Sequence, residues 1–166
     1  MEKALQRLRE NQHLPQADWV NLLVQESVRV TDSVIGYFAV TNDAVTELTM
    51  LAWSKTAMAA CAMSEVPIEY PVEATGLWGD CIRERKPVIT NDYEACTRVT
   101  KKGYPDGHVP VKRHMNVAVM SGETIKGILG VGNKTAEYTE QDAALLQALA
   151  NAAWPVFTSV RERATI

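Results

Sequence analysis

Between residues 91 and 116 the chain gathers the side chains best suited to hold a small molecule: Asn91, Asp92, Tyr93, Tyr104, His108, Arg113 and Asn116. Asn91 and Asp92 could aim an amide and a carboxylate at a ligand, although Asn-Asp more often bonds its own backbone in a turn. From Arg98 to His114 there are five Lys or Arg residues and one acid, Asp106, in a protein of net charge −3. That local excess could attract an anion such as a nucleotide or carboxylate, or simply belong to a solvated loop. Arg113 is the strongest single candidate, because it lies just before a strand and its guanidinium can fork onto a carboxylate or phosphate. Tyr93 and Tyr104 can stack on a planar ligand or pack as a lid, and Trp78 reads as a packing residue. His108 and His114 could share a metal, but no Cys or third His completes a set, so no metal site is expected. No motif specifies a cofactor.

The elements that position these residues follow from periodicity. Residues 2–12 read as a short amphipathic helix, and a second begins at Pro15 with Asp18 in its first turn and Trp19, Leu22, Leu23 and Val30 near one face. Val34 to Val40 is apolar and β-rich, and Val45 to Trp53 returns after Thr41-Asn42-Asp43 as a hairpin, with Leu48 and Met50 alternating against Glu47 and Thr49. Thr56 to Met63 reads as a short helix and Tyr70 to Val72 as an edge strand flanked by prolines. A helix is expected from Leu77 to Arg85 with Trp78, Cys81 and Ile82 inward, then a brief strand at Pro87-Val88-Ile89. Residues 93–112 carry no convincing period, which inside a compact domain marks a functional or mobile segment. Asn116 to Met120 and Ile125 to Val131 form a second hairpin. A final helix places Leu145, Leu146, Leu149, Ala153 and Val156 inward, with Pro155 expected to kink or break it.

Composition narrows the classes of function. A chain of 166 residues suits one domain, taken here as 1–166 with a core over about 18–157. The acidic balance argues against nucleic acid as the main partner. No apolar run approaches the roughly 18–20 residues that span a bilayer and no signal-peptide core is visible, so a cytoplasmic, non-membrane protein is expected. Cys61, Cys81 and Cys96 are odd in number and contain no Cys-x-x-Cys pair, which fits neither a disulfide framework nor a zinc knuckle.

Residues 128–142 form the most specific pattern. An apolar strand ends at Gly132, a turn carries Asn133 and Lys134, and a helix begins near Thr139, an N-cap with Asp142 three residues on. Lys134 is placed to reach that carboxylate, while Tyr138 packs over the turn. Asn133-Lys134, then the aromatic Tyr138, then Asp142 resembles the signature of GAF domains, with Tyr138 in place of the usual Phe and Ala143 in place of the usual Glu. Trp78, Lys86-Pro87-Val88-Ile89, Asn91-Asp92-Tyr93 and Lys102 to His108 resemble the GAF domains attached to bacterial histidine kinases and cyclic-dinucleotide enzymes.

The resemblance implies an α+β fold: an antiparallel sheet with the terminal helices on one face and short helices and loops on the other. It implies a non-catalytic regulatory sensor that binds a small molecule between sheet and connecting segment, signals through the terminal helices as a homodimer, and acts on a kinase or cyclase output module. In that reading Asn133, Lys134, Tyr138 and Asp142 are structural, and contacts to ligand come from residues 91–116. One alternative is a thiol enzyme that reduces free methionine sulfoxide. The cysteine motif of that family would fall on Gly76-Leu77-Trp78-Gly79, where Trp78 replaces the cysteine, and Cys81 reads as buried and inert. Bilin attachment would need a Cys followed by His, which the chain lacks. A ligand-free dimerisation module is the remaining alternative.

Overall fold

The computed structural model describes residues 1–54, 68–104 and 108–164. The helix expected over Thr56 to Met63 lies outside the described residues. Helices α1 (Glu2–Glu10) and α2 (Gln16–Val30) precede strands β1 (Ile35–Thr41), β2 (Glu47–Trp53) and β3 (Ile68–Pro71). Two 3₁₀ turns, Val72–Ala74 and Leu77–Gly79, lead into α3 (Asp80–Glu84) and β4 (Val88–Thr90). A long irregular connection then reaches β5 (His114–Ser121), β6 (Thr124–Gly132) and the closing helix α4 (Glu140–Arg163). The six strands form one sheet in the order β3-β2-β1-β6-β5-β4, and every pairing is antiparallel.

Alternation along the strands divides the core in two. Phe38 on β1, Met115, Val117 and Val119 on β5, and Leu129 and Val131 on β6 face the helical layer. There they meet Trp19 and Leu23 of α2 and Leu146, Leu149 and Phe157 of α4, all buried. Phe157 anchors this layer, with its ring 5.4 Å from Phe38 edge-on and 6.0 Å from Trp19. The intervening residues, Ala39, Ala118 and Ile128 among them, face the short helices and join Val72, Cys81, Ile82 and Val88. Terminal helices on one face and the irregular middle on the other is therefore the observed arrangement. Full burial of a side chain such as Leu146 or Phe157 contributes about 1.5–3 kcal/mol, so this double layer dominates the fold's stability.

Two local expectations change. The segment 77–85 is a 3₁₀ turn followed by one helical turn and a bit, because it ends at Arg85 in the left-handed conformation (φ 52°). Helix α4 runs through Pro155 without a break. Pro155 lies on the exposed side while its neighbours Trp154 and Phe157 are buried against the core, which outweighs one lost backbone hydrogen bond. Leu8 of α1 and Leu149 of α4 are buried in the chain's own core. Helix α4 is long and apolar enough by length and composition to cross a membrane, but its apolar face is the one that packs on the sheet.

Buried Glu26 joins the first two helices. It accepts from Arg7 at 2.8 Å and from its helix neighbour Arg29 at 2.5 Å. Burial pushes this carboxyl upward, but the two guanidinium groups outweigh burial and hold it below the usual range.

Candidate functional site

A cavity of about 200 Å³ opens between the sheet and the irregular segment that follows β4. Its floor is one row across three strands, where Tyr37 of β1, Gly130 of β6 and Asn116 of β5 are register partners. Gly130 has no side chain, so the Tyr37 ring crosses above it and its hydroxyl donates to Asn116 Oδ1 at 2.6 Å. A Cβ at Gly130 would sit 2.1 Å from Tyr37 Cε1 and 2.5 Å from Asn116 Oδ1, so only glycine admits this contact. Burial raises the Tyr37 phenol well above its ordinary value, which keeps it a donor.

Asn116 passes the constraint on. Its Nδ2 lies 2.6 Å from His114 Nδ1, and an amide nitrogen can only donate, so His114 Nδ1 must be the acceptor. The proton of the neutral ring therefore resides on Nε2. Burial lowers the His114 pKa to about 4, with the Asp80 charge opposing weakly, so the ring is uncharged at neutral pH. Since the unfolded ring titrates near pH 6.5, the unfolded chain binds the extra proton between about pH 6.5 and 4. Stability should thus fall as pH drops through that window. His114→Gln should flatten this part of a urea-midpoint profile while leaving the losses at lower pH that come from the paired carboxylates.

Aromatic rings make the walls. Trp78 stands edge-to-face with Tyr37 at 5.8 Å and with Tyr70 at 5.4 Å, and Trp53 also lines the cavity. On the irregular segment a ladder runs from His114 to Tyr93 (5.9 Å), Tyr104 (5.5 Å) and His108 (5.0 Å, stacked). His108 and His114 stand at opposite ends of that ladder. Among the described residues no group of three His, Cys, Asp or Glu gathers around a common point.

A buried carboxylate latches the segment in place. Asp80 of α3 is 2% exposed, and its Oδ1 accepts from Arg83 Nη2 at 2.6 Å. Its Oδ2 accepts from Arg98 Nη1 at 2.7 Å and Thr100 Oγ1 at 2.8 Å, both on the segment itself. Arg98 also holds Glu84 at 2.7 Å, while Arg83 donates to the carbonyls of Val72 and Gly76. Burial pushes the Asp80 carboxyl upward, and hydrogen bonds from Arg83, Thr100 and Arg98 outweigh it to give a net lowering.

Of the residues expected to contact ligand, Tyr93, Tyr104, His108 and Asn116 line the cavity. Three others do not. Asn91 clamps Tyr138 through both amide atoms, donating to its carbonyl at 3.0 Å and accepting its N–H at 2.8 Å. Asp92 accepts the Ala95 N–H at 2.9 Å, the turn alternative. Arg113, expected to fork onto an anion, instead donates to the carbonyls of Lys134 (2.9 Å) and Thr135 (2.6 Å), and to that of Asn91. These carbonyls lie in a turn that leaves them without helix or sheet partners, and a guanidinium satisfies several at once. Sequence reasoning missed Tyr37, Trp53 and Tyr70, whose strand alternation gave the only hint, and it missed Asp80 altogether.

The turn after β6 behaves as its pattern suggested. Lys134 Nζ bonds both Asp142 oxygens at 2.9 Å, and Thr139 with Asp142 forms a reciprocal capping box. Tyr138 is buried, with its hydroxyl 2.7 Å from Ser33 Oγ. Asn133 adopts φ 60° and holds the irregular segment's end by accepting the Lys112 N–H and donating to the Pro110 carbonyl.

The family model for the GAF domain matches residues 14–158. The chain belongs to the GAF domain family. Over 130 residues this GAF domain is 43% identical to the methyl sulfide methyltransferase-associated sensor of Methanosarcina acetivorans. The alignment covers 78% of this chain and 13% of that longer protein. Among solved structures, the GAF domain of a phosphoenolpyruvate-protein phosphotransferase from Coxiella burnetii has a TM-score of 0.77 at 15% identity, covering 99% of this chain and 96% of that one. Free methionine-R-sulfoxide reductase from Neisseria meningitidis has a TM-score of 0.70 at 13% identity, covering 98% and 90%. These structural likenesses establish the shared fold.

Proposed function

We propose that this GAF domain is a non-catalytic sensor module that takes a small molecule into the aromatic cavity and relays occupancy through its terminal helices. The observation that carries the reading is the shared sheet. Tyr37 touches the cavity while the next residue, Phe38, packs on Phe157 of α4. His114 and Met115 repeat the alternation on β5. A ligand that shifts either strand therefore bears on the closing helix without an intermediary. Support comes also from the 43%-identical relative, whose name describes a sensor. The domain acts in the cytoplasm as a homodimer and passes its signal to a kinase or cyclase output module.

Thiol chemistry is the weaker reading. Cys81 is buried, and burial pushes its thiol up to about 12, so almost none is thiolate at neutral pH. Cys81 is expected to resist maleimide in the folded protein and to label only on unfolding, as mass spectrometry of the labelled peptides would reveal. Rapid labelling of Cys81 under native conditions would restore the enzymatic alternative.

A thermal-shift screen of nucleotides, amino acids, carboxylates and aromatics tests the sensor reading. A ligand at about 100 times its Kd adds about 2.7 kcal/mol. Absence of any shift across the screen would favour a ligand-free dimerisation module.

A further inference from the structure

We infer that the cavity selects a small, uncharged, flat heteroaromatic molecule, one that offers a hydrogen-bond acceptor to His114 and a donor to His108. This rests on the reading of the cavity as the sensory site and gives that site its chemistry.

Size sets the first limit. About 200 Å³ holds a one- or two-ring molecule, given that liquid water occupies roughly 30 Å³ per molecule. Charge sets the second. Among the described residues no Lys, Arg, Asp or Glu lines the cavity. Transferring an anion there would cost several kcal/mol, with no charged side chain among the described lining residues to pair with it. Three basic residues of the neighbouring segment are engaged elsewhere. Arg98 binds Asp80 and Glu84, Arg113 the turn carbonyls, and Lys102 the carbonyls of Glu73 and Ala74.

A cation fares little better. Ring faces attract cations by about 0.5–2 kcal/mol each. However, the Tyr93 ring already carries Lys101, whose Nζ lies 4.9 Å from the ring centroid. A bound cation would meet that like charge across the same ring. A neutral flat molecule meets neither penalty and can stack against the Tyr93–Tyr104–His108 ladder.

The two histidines then fix polarity. Asn116 donates to His114 Nδ1, which leaves His114 Nε2–H as a donor. At the other end, His108 Nδ1 lies 2.7 Å from the Val109 carbonyl, which can only accept. His108 Nδ1 therefore carries the proton, and Nε2 of the neutral ring keeps its lone pair. The ladder is bounded by one donor and one acceptor, and Nδ1 of each histidine is already committed.

A matched series of bicyclic probes tests this at pH 8 with the full chain. Benzimidazole carries both a donor and an acceptor, 1-methylbenzimidazole only the acceptor, and indole only the donor. Benzoate and benzamidine supply the anion and the cation. Binding would be read by calorimetry and by quenching of Trp53 and Trp78, which line the cavity. Benzimidazole should bind about tenfold more tightly than either single-partner analogue, the scale of one hydrogen bond. His108→Phe should abolish the preference for benzimidazole over its 1-methyl form while retaining the preference over indole. His114→Phe should do the reverse. Urea unfolding of each variant separates loss of binding from loss of fold, and His108→Asn or His114→Gln serves where a Phe variant fails to fold.

Saturable binding of benzoate or benzamidine as tight as benzimidazole, quenching the same tryptophans, would overturn the class while leaving the sensory site intact. Equal affinity of the three neutral probes would overturn the assigned polarity. No binding by any of the five would overturn the inference, and the thermal-shift screen would then judge the sensor reading by itself.

Discussion

Asp80→Ala is expected to destabilise the domain by about 3–5 kcal/mol, the cost of removing one partner from a buried ionic network. The carboxylate is 2% exposed and receives Arg83 on one oxygen and Arg98 with Thr100 on the other. Its loss leaves the partly exposed Arg83 with only carbonyls and the Thr75 hydroxyl, and it frees the segment that walls the cavity. Urea denaturation gives the energy, and amide exchange gives the location. Exchange should accelerate first across residues 93–104 and least in α4. Asp80→Asn, which keeps shape and some acceptors, should lose less. A destabilisation below 1 kcal/mol for the alanine variant would mean that the latch is not structural. Acid should weaken the same network. The folded carboxyl titrates below the unfolded one, so its contribution is present above the ordinary Asp range and is lost as pH falls through the lowered value.

The second large effect is expected at Gly130. A Cβ there would overlap the Tyr37 ring at 2.1 Å and Asn116 Oδ1 at 2.5 Å, and valine adds two further methyl groups. Gly130→Val should cost about 1–3 kcal/mol or more through overpacking. It should also displace Tyr37 from Asn116, breaking the hydrogen bond that orients the amide whose Nδ2 fixes the His114 tautomer. Because Tyr37 and Asn116 are both cavity floor, ligand affinity should fall together with stability. A variant of unchanged stability and unchanged affinity would contradict the assigned floor. Gly127, whose Cβ would lie 2.2 Å from the Ala39 carbonyl, is a control that faces away from the cavity lining.

The two hairpins and the helix start at Thr139 were legible because each rests on local rules. Leu48 and Met50 alternate with Glu47 and Thr49 as a half-buried strand requires, and the Thr139–Asp142 cap spans three residues. The site was only half legible. Its irregular wall announced itself by lacking a period, and Tyr93, Tyr104, His108 and Asn116 followed from that. Its floor depends on Tyr37 meeting Asn116 across 79 residues, a pairing that register decides and composition does not. The wall's anchor joins Asp80 to Arg98 across 18 residues. Arg113 was misread for the same reason. A guanidinium before a strand suits an anion by type, but the open carbonyls of a turn 21 and 22 residues away claim it. Among the described residues the cavity lining accordingly holds no Lys or Arg.

In the proposed mechanism, occupancy of the cavity reaches the closing helix through the sheet. Hydrogen exchange with mass spectrometry, with and without a small molecule that raises Tm, tests it most directly. Added protection is expected in two places at once, residues 93–104 at the cavity wall and the part of α4 around Phe157. Protection confined to the wall would contradict the relay, and protection that spares the wall would contradict the site.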